Sequence, residues 1–163
     1  MRFCDFWRGL LGVLWVGAIV LGQPDVALAA IHRYPEGLNQ VMWRSLQTLR
    51  DEDNTAWQIV VYKRLQSDQM VCLNLRLVGF PGVTKLARQP LLISTGSGQV
   101  WTVPTVTTVP LPETAGEYDL QTVISELRGN PPLKLSLPGE NRSIQLVVPP
   151  FVVQEWQTVA QKA

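Results

Sequence analysis

The chain of 163 residues is 46% hydrophobic and 17% charged, with 14 basic against 13 acidic side chains for a formal net charge of +1. That is the composition of a folded domain rather than of a disordered chain. It lacks the strongly basic balance that marks nucleic-acid binding and polybasic lipid surfaces, so neither partner is expected.

Arg2 and Arg8 precede an uncharged stretch from Gly9 to Leu21, and Ala27-Leu28-Ala29 follows Pro24. A positive start, an apolar middle and small residues at the end are the three parts of a secretory leader. The uncharged run is shorter than the roughly 18 to 20 residues of a membrane-spanning helix, which favours cleavage after Ala29. Left uncut, the same segment would anchor the chain in a membrane, the one membrane association the sequence offers. Cys4 lies ahead of the apolar run, not at a cut site, so no lipid attachment is expected. The expected organisation is a leader over residues 1–29 and a single β-rich domain over 30–163. That length sustains one hydrophobic core without staples. Cys72 is then the only cysteine, so packing rather than disulfides must hold the domain.

Gln40 to Asp51 and Ala56 to Leu65 read as a hairpin about Glu52-Asp53-Asn54-Thr55, although Met42, Leu46 and Leu49 also fit helical spacing. The second run is apolar on both faces, which suits a central strand. Val71 to Val78 alternates, with Val71, Leu73, Leu75 and Leu77 on one face and Cys72, Asn74, Arg76 and Val78 on the other. Gly79-Phe80-Pro81-Gly82 breaks it. Pro90 to Thr95 and Gln99 to Pro104 form a second hairpin about Gly96-Ser97-Gly98. Thr105 to Ala115 reads as an extended connector. Asp119 is placed to cap a helix of about ten residues, with Leu120, Val123, Ile124 and Leu127 on its apolar face. Leu133 to Leu137 and Ser143 to Val148 are further strands, and Pro149-Pro150 opens a closing helix striped by Val152, Trp156, Val159 and Ala160. The fold class expected is α+β, mainly antiparallel β: a twisted sheet or partly closed barrel of about seven strands with two short helices.

Reactive chemistry is sparse. The only histidine, His32, falls near the expected new N-terminus, a poor place for a catalytic imidazole. One histidine and one cysteine supply no ordinary zinc site. Gly96-Ser97-Gly98 is not followed by the lysine and hydroxyl residue of a phosphate-binding loop and reads as a hairpin turn. No cofactor and no metal are expected. Asp51-Glu52-Asp53 and Glu117-Tyr118-Asp119 lack the spacing of a calcium loop and read as a solvated turn and a helix N-terminus. Cys72 reads as structural. Trp43, Trp57, Trp101 and Trp156 read as core, while Trp101 near a hairpin tip and Phe80 in its Gly-Pro turn are kept as contact candidates for a partner.

Gln40-Val41, Leu49-Arg50-Asp51, Ala56-Trp57-Gln58, Gly79-Phe80-Pro81-Gly82, Gln99-Val100-Trp101 and Gly116-Glu117-Tyr118-Asp119-Leu120 together resemble a family of small exported cyanobacterial proteins whose shared domain has no assigned function. The resemblance implies a periplasmic or thylakoid-lumen location and transfers no site. Three functions are weighed: an exported non-enzymatic accessory domain that binds another protein near a membrane complex; a carrier of a small apolar ligand in a barrel-like cavity; and a hydrolase using Asp51, Glu117 or Asp119 as acid or base.

Overall fold

A computed structural model describes residues 31–80, 85–106 and 110–163, and shows nine strands and two helices. The expected leader and the Pro81-Gly82 part of the expected turn lie outside the described residues. β1 (His32–Gly37), β2 (Gln40–Arg50), β3 (Ala56–Gln66), β4 (Gln69–Gly79) and β7 (Ala115–Asp119) form a five-stranded antiparallel sheet in the order β1-β2-β3-β4-β7. β5 (Leu91–Thr95), β6 (Val100–Val103), β8 (Leu133–Pro138) and β9 (Ser143–Val148) form a four-stranded antiparallel sheet in the order β6-β5-β8-β9. The order leaves both sheets open, which fits the twisted sheet among the two expected forms rather than the partly closed barrel.

Turn chemistry sets the hairpins. Ser67 and Asp68 both take positive φ, 50° and 62°, which gives the two-residue β3–β4 connection a twist matching its strands. Between β2 and β3, Asp51 Oδ1 accepts from the backbone N–H groups of Asp53 (3.0 Å) and Thr55 (2.8 Å), while Oδ2 accepts the Trp57 indole N–H at 3.0 Å. The first acidic cluster is therefore a structural turn. Gly98 sits at φ 90° in the β5–β6 hairpin, a conformation that side-chain-bearing residues rarely adopt.

Alternation puts Trp57, Ile59 and Val61 of β3 and Leu73, Leu75 and Leu77 of β4 on one face, where they share a single apolar cluster with Ile93, Leu135 and Leu146 of the other sheet. The closing helix α2 (Pro150–Gln161) begins with proline at its first turn, as its sequence predicts, and buries Val152, Val153, Trp156 and Val159 against β2 and β3. Two polar ties fix its pose. Glu155 accepts from Ser45 Oγ at 2.8 Å and Gln47 Nε2 at 3.0 Å. The ammonium of Lys63, 9% exposed, donates to the carbonyls of Ala160 (2.7 Å) and Lys162 (2.6 Å), satisfying the helix C-terminus and opposing its dipole. Lys63→Met should cost about 1–2 kcal/mol in chemical unfolding and speed amide exchange over the last turn of α2, with the rest of the fold unchanged.

Four sequence expectations need correction. Two strands join the seven: β1, so that His32 lies on an ordered edge strand rather than a loose end, and β7, where a helix N-terminus was expected. α1 spans only Gln121–Glu126, with Leu120 rather than Asp119 as its N-cap residue, although Asp119 Oδ1 still accepts the Gln121 N–H at 2.9 Å. β4 carries a bulge: Arg64 pairs with Cys72 and Leu65 with Met70, so Val71 has no partner. The extra residue breaks the alternation, and Val71, expected beside the leucines, is 60% exposed.

Candidate functional site

The face of the five-stranded sheet away from the core carries Tyr62 of β3, Asn74 and Arg76 of β4 and Glu117 of β7. Cross-strand register brings them together: Tyr62 lies opposite Asn74, and Arg76 opposite Glu117. The Glu117 carboxylate is 5% exposed and fully engaged. Oε1 accepts from the Tyr62 hydroxyl and from Asn74 Nδ2 at 2.9 Å; Oε2 accepts from Arg76 Nε at 2.8 Å and Nη2 at 2.6 Å. Arg64, paired with Glu36 at 3.0 Å, and Arg76 both lie over the Tyr62 ring, their guanidinium carbons 5.2 and 5.6 Å from its centroid.

The electrostatics of this cluster favour structure over acid–base work. Burial pushes the Glu117 carboxyl up, but the donors from Tyr62, Arg76 and Asn74 outweigh it and hold the group below its ordinary value, hence ionised. Burial, reinforced by the bond to Glu117, pushes the Tyr62 phenol to about 12. Burial alone pushes Tyr118, on the core face of β7, to about 12. A general acid near neutrality needs a raised carboxyl, and a phenol that titrates at about 12 is a poor base there. Folding thus keeps two phenols protonated that an unfolded chain would ionise near 10. Their contribution to stability is complete below pH 10 and disappears as pH climbs through about 12. Alkaline unfolding followed by tyrosinate absorbance should therefore show a steep loss of stability in that window, with both phenols ionising only as the fold opens.

Beside this cluster, an open cleft of about 730 Å³ runs along β7. Its walls are the segments around Lys85 to Arg88 and Pro110 to Glu113, with Gly116 and Tyr118 of β7 between them. Gly116 is required there. A Cβ on it would fall 2.6 Å from the Tyr118 hydroxyl, because that ring folds back along its own strand over the glycine.

A third feature lies at the far end of the sheet. The β1–β2 and β3–β4 tips adjoin, the Ser67 N–H donating to the Asn39 carbonyl at 2.8 Å. Around them stand Leu38, 97% exposed, Met70, 41% exposed, and the bulged Val71.

The residues singled out from sequence separate. Phe80 is 45% exposed at the end of β4. Trp101 is not a surface anchor: it is 7% exposed in the core, its indole N–H donating to Glu126 Oε2 at 2.8 Å. Its strand alternation turns the side chain inward even though the hairpin tip is near. Asp51 and Glu117 do not converge. Three strand spacings and five residues along the strand separate them, about 20 Å. Glu117 itself is not at a helix N-terminus but buried in a strand. Cys72 is a half-buried free thiol that burial pushes above its ordinary pKa, which lowers its reactivity. Among the described residues, no three or more His, Cys, Asp or Glu side chains are grouped to hold a metal ion, and no helix is long and apolar enough to cross a membrane. Tyr62, Tyr118 and the hairpin tips escaped the sequence reading; the signal present was Asn74 and Arg76 alternating with buried leucines, polar groups whose partner had to come from a neighbouring strand.

Two open antiparallel sheets closed by a C-terminal helix, with an ion-paired polar cluster on one outer face, define an α+β domain of mainly antiparallel strands. Residues 29–159 match the family model described as Protein of unknown function (DUF3122), and the chain belongs to that family. No curated protein and no solved structure matches it.

Proposed function

We propose that this chain is an exported accessory domain of the periplasm or thylakoid lumen that works by binding another protein through the paired hairpin tips. The observation that carries the reading is the exposure of Leu38, Met70 and Val71 about the adjoining tips, where turn residues and strand ends are ordinarily polar. The bulge in β4 turns Val71 outward instead of letting it join the leucines, as bulges do where a side chain has to be re-aimed. Aliphatic and thioether side chains on a rigid paired tip suit an apolar groove on a partner protein, with the Arg64–Glu36 pair at its margin. Export rests on the leader-like segment preceding Ala30.

The full chain, expressed in its own host and cross-linked in place, should capture one recurrent partner and should begin at Ala30 in its mature form. A Leu38→Ser, Val71→Ser double variant should lose that capture while keeping its unfolding midpoint, since both side chains already face water. Equal capture by the variant would refute the tips as the contact, and an intact leader on the recovered protein would refute cleavage.

A further inference from the structure

A sheet that ends in solvent leaves backbone donors and acceptors unpaired, and the edges of the two sheets are managed unequally. β1 carries Pro35, which has no N–H, a register shift after it, and the charges of Arg33 and Glu36. β7 is covered by the chain that follows β6, Val106 N–H donating to the Glu117 carbonyl at 2.8 Å and Asp119 N–H to that of Pro104 at 3.1 Å. β9 meets the end of β2 through the Asp51–Leu146 bridge. β6 has none of these devices. Val100-Trp101-Thr102-Val103 includes no proline, charge or bulge, and past Asp119 the chain turns into α1 instead of continuing β7 alongside it.

The hairpin fixes which groups are left over. Thr95 N–H donates to the Gln99 carbonyl at 3.0 Å, so Ile93–Trp101 and Leu91–Val103 are the pairs that exchange backbone bonds across it. The N–H and C=O groups of Val100 and Thr102 therefore point away from β5, and among the described residues nothing bonds to them. We propose that this edge pairs with the same edge of a second copy of the chain, antiparallel, about a two-fold axis beside Trp101. That register sets Val100 of each copy opposite Thr102 of the other, so every free donor finds an acceptor. Their β-branched side chains, both exposed, oppose each other on the outer face. Lys134, the one charged residue in the four strands of that sheet, lies two strands inward, so no like charges meet. The pairing ends at Pro104, which has no N–H and whose carbonyl already serves Asp119. So short a contact falls below the roughly 1,200 Å² of a stable complex, which makes the dimer weak and reversible. It lies on the four-stranded sheet and the hairpin tips on the other, so the two proposals stand or fall separately.

The full chain, purified from its own host, should sediment as one chain at low micromolar concentration and approach the mass of two with a dissociation constant of about 0.1 mM. Exchange of the Val100 and Thr102 amides should slow by about fivefold as the dimer fills, while the Leu38 and Val71 amides keep their rates. Paired substitutions test the register, since both side chains already face water. Val100→Lys with Thr102→Lys sets lysine against lysine and should weaken association by about tenfold or more. Val100→Lys with Thr102→Glu sets each lysine against a glutamate and should associate at least as tightly as the unaltered chain, the gain vanishing in high salt. A mass of one chain up to about 1 mM, a mass beyond two chains, undiminished association of the double-lysine variant, or a lysine–glutamate variant equally monomeric would each overturn the proposal. Amides of Val100 and Thr102 that slow only on addition of another protein would assign the edge to a foreign strand and overturn it as well.

Discussion

Replacing Trp156 with alanine should lower the unfolding free energy by about 3–5 kcal/mol, a large part of the 5–15 kcal/mol that holds a typical domain together. The indole is fully buried on α2, in the same cluster as Trp57, Val61 and Leu146, so its removal leaves a void in that core. Those sheets are held by their own ladders and cannot collapse inward to fill it, which places the cost at the upper part of the range. Trp156→Phe keeps most of the volume and should cost about half as much or less. Urea unfolding of the two variants would check the order. Equal midpoints for Trp156→Ala and the unaltered chain would contradict the packing described for α2.

Glu117→Ala should cost about 2–3 kcal/mol, less than the loss of one member of a deeply buried ion pair, because the Arg76 side chain is 32% exposed and can turn to water. The cost arises from Tyr62 and Asn74, which are buried and would keep their donors without the acceptor. Glu117→Gln retains an acceptor oxygen and should cost less. The two variants also share a pH signature. A carboxyl held below its ordinary value in the fold stabilises above the unfolded value of 4.5, and that contribution is lost as pH falls through the folded value. The acid limb of the stability curve should therefore flatten in both Glu117→Gln and Glu117→Ala. An acid limb as steep as that of the unaltered chain would show that other carboxyls govern acid unfolding.

The parts of the fold that could be read from the sequence were those whose instructions are local. Alternation in β3, β4, β8 and β9 and the Pro-Pro start of α2 each lie within a dozen residues. β2, whose apolar residues also fit a helix, resolved as a strand because both neighbours, β1 and β3, pair along it. β7 was missed because Ala115-Gly116-Glu117-Tyr118-Asp119 has poor intrinsic strand preference. It becomes a strand because β4, some forty residues earlier, offers a free edge whose Arg76 and Asn74 complement its glutamate. The candidate sites were hidden for the same reason. The polar cluster joins three strands, the cleft joins three separate segments, and the outward turn of Val71 depends on a register shift that no single-strand pattern reveals.

The helix that seals the interior follows, in chain order, every strand that it covers. Lys63 waits for two carbonyls that lie 97 and 99 residues further on, and Ser45 for a carboxylate 110 residues away. A nascent chain lacking those turns would expose the greasy underside of β2 and β3, so completion of the fold is postponed until α2 has emerged. Removing the last turn of α2 would strike at the keystone rather than at a dispensable fringe.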